Sequence, residues 1–424
     1  MKKKICGAAR LCGLVVCALA LLFASQVAFC ETHSREEVRK MYVQLCETPM
    51  RTPYETLPDL QQFLPGALTE EALEQALNNV KFIRYLAYLP YDLALSEEAT
   101  ARSQAAALLL AAANELSHTP SQPEGMPLAL YETGYAAASS SNIASFNWFT
   151  DDVLLTGLEH FMLDEADYNL PTLGHRRWIL SPRLQYTGFG LANSASGISY
   201  VVMHVMDFSG EDADYGHVAW PSAGAFPAEY MSAGMPWSVS LQPEAYNLEA
   251  SSPTVTLREQ NSGAVFRFAL PSSEIEAQYF AISREAYGEG ACIIFRPDLA
   301  AAGLAGYEQN QVWQVTIEGL VAADGATASL EYTVEVISLE PIEPAAVEIE
   351  PQTLVLRVGE TAAVEAIAIP SWADDTSVRY ESSEPAIATV DANGRVTALA
   401  AGECEISAIA VNGITDICTV SVNE

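Results

Sequence analysis

Apolar and polar positions along the chain change rhythm several times, and each change marks a segment. Lys2, Lys3, Lys4 and Arg10 precede an apolar run from Leu14 to Phe29. A basic start and a short apolar stretch read as an export leader, residues 1–30, with small residues Ala28 and Cys30 at the cleavage site and a mature chain starting near Glu31. Lipidation of Cys30 fits poorly, because bulky Phe29 precedes it. Residues 31–68 form a polar, proline-containing extension with one helical stretch near Arg35–Leu45. From residue 69 the apolar period is helical: Thr69-Glu70-Glu71 supplies an N-cap hydroxyl and first-turn acids, and Leu73, Leu77, Val80 and Arg84 follow at helical spacing. Ser96-Glu97-Glu98 opens an Ala-rich helix ending near Leu116, and Thr150-Asp151-Asp152 opens a third that carries Leu154, Leu158 and Phe161.

The period then shortens to two. Thr187–Ala192 and Ser199–Phe208 predict a hairpin around an Asn193–Gly197 turn, which makes residues 69–208 an α+β layered domain. Six strand-like runs between Trp237 and Ile337 predict a β-sandwich over 235–338. The proline- and glutamate-rich segment 339–346 reads as a stiff linker, and short, regularly spaced strands over 347–424 predict a second sandwich. The fold expected is therefore multidomain: one α+β layer structure, a β-rich middle and an all-β C-terminal unit.

Charge narrows the partners. The formal charge of −33 becomes −37 once the leader's four basic residues are removed, which disfavours nucleic acid and anionic membranes. No run beyond the leader is long and apolar enough to span a bilayer. Four of the eight cysteines lie in the leader; Cys46, Cys292, Cys404 and Cys418 are too scattered for a disulfide framework. Cys292, between strand residues, reads as a small buried hydrophobe. Cys404 and Cys418 flank the Asn412-Gly413 turn, and a bridge between them is an expectation that needs a longer or bulged loop, since a two-residue turn would set Cys404 opposite Ser421. Neither a phosphate-binding glycine loop nor a nucleophile elbow occurs.

Several short pieces recur in a characteristic order. Asn78-Asn79 through Arg84, the Ala-rich helix with Leu116-Ser117-His118, Asn142-Ile143-Ala144, Gly174-His175-Arg176-Arg177-Trp178 through Pro182, and Gly188-Phe189-Gly190 together resemble the CAP superfamily of cysteine-rich secretory, antigen 5 and pathogenesis-related proteins, across residues 78–205. The resemblance implies an α-β-α sandwich with an open cleft in a secreted, often bacterial, protein. It also implies two histidines and two acids in that cleft, sometimes around a metal ion. His118 and His175 match the histidines, whereas Ser141 and Thr172 stand where the acids would be; Glu132 and Glu159 are nearby substitutes that nothing singles out. Leu356–Gly359, Ser382-Ser383, Ala388-Thr389-Val390-Asp391 with Gly394, Val396-Thr397 and Cys418–Val422 resemble a group 2 bacterial immunoglobulin-like domain, which implies surface display, spacing or adhesion.

Each residue also has a plainer reading. His118 sits where a histidine can bond the last carbonyls of its helix. Arg176, Arg177 and Trp178 are expected to pack and hydrogen-bond the domain, and His33, His160, His204 and His217 lack any partner pattern. A Ser141 nucleophile would require an orienting acid and an oxyanion hole, neither visible in sequence. The balance favours an extracellular binding or adhesion protein and not an enzyme, using a cleft of His118, His175, Ser141 and Thr172 for a ligand such as wall material, glycan, lipid or host protein. A metal-dependent hydrolase and a structural spacer with a degenerate cleft are the alternatives. No cofactor is required; a zinc or other divalent ion held weakly by His118 and His175 is the metal expectation.

Overall fold

The computed structural model describes residues 32–46, 53–147, 152–211, 215–272, 274–288 and 290–424; the leader and its cleavage point lie outside the described residues. Helix α1, Arg35–Cys46, opens with a reciprocal cap in which the Ser34 backbone N–H donates to Glu37 Oε2 at 2.8 Å and the Glu37 N–H donates to Ser34 Oγ at 3.3 Å. Thr69 and Ser96 cap α2 (Glu70–Leu86) and α3 (Glu97–Ala113), each hydroxyl accepting from a backbone N–H three residues on. Asn114, left-handed at φ 53°, ends α3. Helices α4 (Leu128–Ala138), α5 (Val153–Leu163) and α6 (Gly174–Ile179) complete the helical set; α4 and α6 were not foreseen, and Thr150 and Asp151, the expected start of α5, lie outside the described residues.

An antiparallel sheet separates these helices, with strands in the order β1 (Ser141–Phe146), β3 (Ser199–His204), β2 (Phe189–Asn193). The alternation along each strand assigns its two faces. Ile143 and Val202 pack with Ala106, Ala107 and Leu110 of α3, while Ala144 and Val201 join Leu158 and Phe161 of α5 on the other side. The result is the helix–sheet–helix layering expected. Glycine permits the close approach of α3: a Cβ at Gly190 would lie 2.1 Å from the Ser103 carbonyl oxygen, and one at Gly188 2.3 Å from the Thr100 nitrogen.

Two further sheets form the β-rich middle. One has four strands, in the order β9 (Tyr279–Ser283), β10 (Ala291–Arg296), β6 (Trp237–Leu241), β4 (His217–Trp220). The other has five, in the order β8 (Val265–Phe268), β7 (Thr254–Glu259), β11 (Val312–Val321), β12 (Thr327–Ile337), β5 (Gly224–Pro227), with β5 parallel to β12. Residues 209–234, unassigned by periodicity, thus supply β4 and β5. One continuous core runs from Val38 through Trp220, Trp237 and Trp313 to Leu339, so the helical layers and the sandwich share a single hydrophobic interior.

The C-terminal sandwich has a separate core that includes Ile349, Val396, Ile406 and Val420. Its Cys404 and Cys418 are buried free thiols, not the bridge expected. The register opposes Cys404 to Val420 and Cys418 to Ile406, which leaves the sulfurs diagonal on one face, about 7 Å apart at Cβ and beyond disulfide reach. Helix α1 clasps this sandwich to the rest: Arg39 donates to Asp374 Oδ1 at 2.8 Å and Oδ2 at 3.1 Å and to the Ser338 carbonyl at 2.9 Å, and Asp374 also accepts from the Ile342 N–H at 2.6 Å.

Candidate functional site

Seven segments converge on a cavity of about 450 Å³: the segment after α3, the C-terminal end of α4, strand β1, the segment before α6, α6 itself, the chain just after β3 and the connection between β9 and β10. His118 donates from Nδ1 to the Ala138 carbonyl at 2.7 Å, an acceptor that α4 leaves free at its C-terminus. The plain reading of His118 is thus half right, since the carbonyl it bonds belongs to a different helix. His175, second residue of α6, has Nδ1 3.0 Å from Asp164 Oδ1. The Ala138 carbonyl and the Asp164 carboxylate accept, which places each imidazole proton on Nδ1, where His175 also has Asn169 Nδ2 at 3.2 Å; Nε2 of each ring faces out as an acceptor without a hydrogen-bond partner among the described residues.

Asp164 is the acid the sequence reading missed. It caps α5 in the left-handed region at φ 48°, its carboxylate is fully buried, and its Oδ2 accepts from the Arg176 N–H at 3.4 Å. Glu132 is exposed on α4 and Glu159 lines a different cavity with Tyr42, Asn79 and Tyr230, so neither stands in for the expected pair. Burial, with the neighbouring Glu165 adding to it, raises the pKa of the Glu159 carboxyl.

Ser141 lines the cavity, is 4 % exposed, and its Oγ has no hydrogen-bond partner. Its neighbour Asn142 donates from Nδ2 to the His175 carbonyl at 2.9 Å, tying β1 to α6. Thr172 lines the cavity as well, and its own carbonyl accepts from Arg177 at 3.0 Å. Two buried arginines anchor α6 to the sandwich. Arg176 donates to the carbonyls of Met162, Leu163 and Pro236, and burial pushes its pKa down to about 10. Arg177 donates to Thr172 and Gly290 carbonyls, to the Glu285 carbonyl at 2.6 Å and to Ser283 Oγ, and lies 5.4 Å from the Tyr287 ring centroid. The expected structural role of both arginines is met, and Tyr287 is carried against Trp178, with ring centroids 6.1 Å apart.

With this geometry the chain can be set beside known families. Residues 85–205 match the cysteine-rich secretory protein family, CAP, and residues 345–420 the bacterial Ig-like domain, group 2. The chain carries a CAP domain and a bacterial immunoglobulin-like domain. No curated protein matches it. Among solved structures, an intimin mutant of EHEC O157:H7 is 20% identical over 18% of this chain and 45% of its own, with a TM-score of 0.15. Domains 4 and 5 of the S-layer protein SbsC are 14% identical over 27% of this chain and 65% of theirs, TM-score 0.19. Extracellular domains 3–5 of Drosophila OTK are 16% identical over 47% of this chain and 61% of theirs, TM-score 0.19. The chain therefore spans less than half of the intimin fragment, and likenesses this faint carry no argument.

The CAP match contains His118, Ser141, Thr172 and His175 but ends before Tyr287, which reaches the CAP cleft from the sandwich. The donor set does not fit a resident catalytic metal. Among the described residues no three His, Cys, Asp or Glu side chains converge on one point, and the Asp164 carboxylate is committed to His175.

Proposed function

We propose that this is an extracellular or cell-surface binding protein whose CAP cleft takes the ligand and whose immunoglobulin-like domain displays it. The supporting observation is the pair of pinned imidazoles: Nδ1 of each is committed to the scaffold, which leaves two oriented Nε2 acceptors beside the buried, unpartnered Ser141 hydroxyl. Of these groups Ser141 Oγ is buried without a partner, which costs about 1–3 kcal/mol until something bonds it and is a reason for the cleft to hold a polar ligand. A hydrolytic reading has one observation in its favour, the carboxylate-oriented imidazole of Asp164 and His175. It lacks the nucleophile–base contact, because Ser141 Oγ bonds neither histidine.

Zinc titration of the purified chain, followed by calorimetry, probes the imidazole pair directly. The expected result is weak, reversible uptake, lost in His118→Ala and in His175→Ala. Equal uptake in all three proteins would remove the pair from the reading. Assayed alongside, casein, a p-nitrophenyl ester and labelled wall should remain intact; turnover abolished by His175→Ala or Ser141→Ala would replace binding with hydrolysis.

A further inference from the structure

Resting on the ligand-binding reading above, we propose that the cleft recognises a neutral, polyhydroxylated ligand, a short stretch of glycan chain, and that the sandwich domain completes the site by placing Tyr287 against it. The first ground is charge. No Asp, Glu, Lys or Arg lines the cavity, although the whole chain carries −33. An anion would meet a repulsive field with no cation to receive it, and a cation would find no carboxylate within the cleft.

The second ground is the balance of donors and acceptors. Nε2 of His118 and His175 accept, the Ser141 hydroxyl both donates and accepts, and Asn169, whose Nδ2 lies 3.2 Å from His175 Nδ1, lines the same space. Hydroxyl groups, each a donor and an acceptor at once, answer such a set. A fatty chain does not: it would seal Ser141 Oγ and both Nε2 atoms away from water without partners.

The third ground is aromatic. Trp178 and Tyr287 form one wall, and Tyr168, 75 % exposed, stands at the rim. Amphipathic rings of this kind suit a ligand with apolar C–H faces and polar edges. The Tyr287 wall is built in, not incidental. Gly174 leaves room for it, since a Cβ there would lie 3.0 Å from the Tyr287 ring, and a Cβ at Gly288 would lie 2.4 Å from the Arg177 carbonyl oxygen. Arg177 then fixes the Arg284–Gly288 segment through the Glu285 carbonyl.

Tryptophan fluorescence and calorimetry on the full chain test this with tetramers of N-acetylglucosamine, glucose and mannose, and with a sulfated glycan and palmitate as contrasts. At least one neutral tetramer should bind. Tyr287→Ala should weaken it about tenfold, equivalent to about 1.4 kcal/mol, while Tyr287→Phe stays within about twofold of the wild type. Circular dichroism of each variant separates lost stacking from lost folding. Binding of palmitate or the sulfated glycan alone, or of none of the probes, overturns the glycan assignment and leaves the zinc result to judge the wider reading. A neutral tetramer bound equally by Tyr287→Ala overturns the composite site.

Discussion

Replacing Arg177 with Met keeps most of its length and deletes its charge and donors. Arg177 is 3 % exposed and donates to three backbone carbonyls and to Ser283 Oγ. The Glu285 and Gly290 carbonyls belong to an exposed and a half-exposed residue and regain water when the guanidinium is gone. The carbonyl of half-exposed, cavity-lining Thr172 regains water too, whereas the 6 % exposed Ser283 hydroxyl does not, and one such orphaned acceptor costs about 1–3 kcal/mol. Burying a thioether in place of a cation offsets about 1 kcal/mol of that. The net loss is about 1 kcal/mol, or roughly 2 °C for a cooperative unit of about 300 residues. Thermal melting measures the total. Near-UV circular dichroism reports whether Tyr287 has left Trp178, and limited proteolysis should cut first at Arg284. A variant that melts with the wild type and resists cleavage would show that the docking of the sandwich on α6 does not depend on this guanidinium.

Gly190→Ala should cost at least about 3 kcal/mol, because its Cβ meets helix backbone at 2.1 Å; an unchanged melting temperature would mean that α3 shifts freely over the sheet. Cys292, Cys404 and Cys418 should resist iodoacetamide in the native protein and all react in urea without reductant, whereas a 404–418 pair that stays unalkylated would prove a bridge. Burial is the first cause that lowers the imidazole pKa of His33, His160, His204 and His217 below the ordinary 6.5. The unfolded chain therefore takes up protons first, so stability is complete above that value and declines as pH falls through it, by up to about 1.4 kcal/mol per pH unit per histidine. Urea midpoints at pH 7.5 and 5.5, a window above most carboxylate titration, should show the decline, and equal midpoints would contradict it.

Much of the fold was legible because its signals are local. The hydroxyl caps at Thr69 and Ser96 and the alternation along Thr254–Arg258 report the neighbouring backbone, and the structure has α2, α3 and β7 there. Helix α4 was invisible for the converse reason: it begins after Pro127 with no capping side chain. The two cleft histidines could be found because each sits in a contiguous motif. Asp164 could not, since it reaches His175 only through a single left-handed residue at the end of α5, a conformation no periodicity encodes. Tyr287 comes from a strand connection far along the chain, and its place depends on how β9 and β10 lie over α6. The same limit hid the shared core, which arises from packing between segments whose patterns look independent. For the cysteine pair, the register sets Cys404 opposite Val420, one residue from the Ser421 that a two-residue turn would give and two from the Cys418 that a bridge needs.

The clasp between Arg39 and Asp374 has a mechanical consequence. Asp374 belongs to the C-terminal domain and Arg39 to the first described helix, so the two ends of the described chain meet across this bidentate contact, with Arg35 Nη1 also 3.4 Å from Asp374 Oδ1. Burial works against the charge of Asp374, yet hydrogen bonds from Arg39 and Ile342 hold its carboxyl below the usual range, and it remains anionic through any moderately acid surroundings. A tug on the C-terminal domain would therefore not simply straighten residues 339–346. The load would pass sideways into α1 and from there into the core that α1 shares with α2, and the linker would come under tension only after the clasp had let go. Arg39 and Asp374 are only 14 % and 18 % exposed, so salt screens this latch less than it would a surface pair, and it is loss of the carboxylate that would replace a braced domain with a swivelling one.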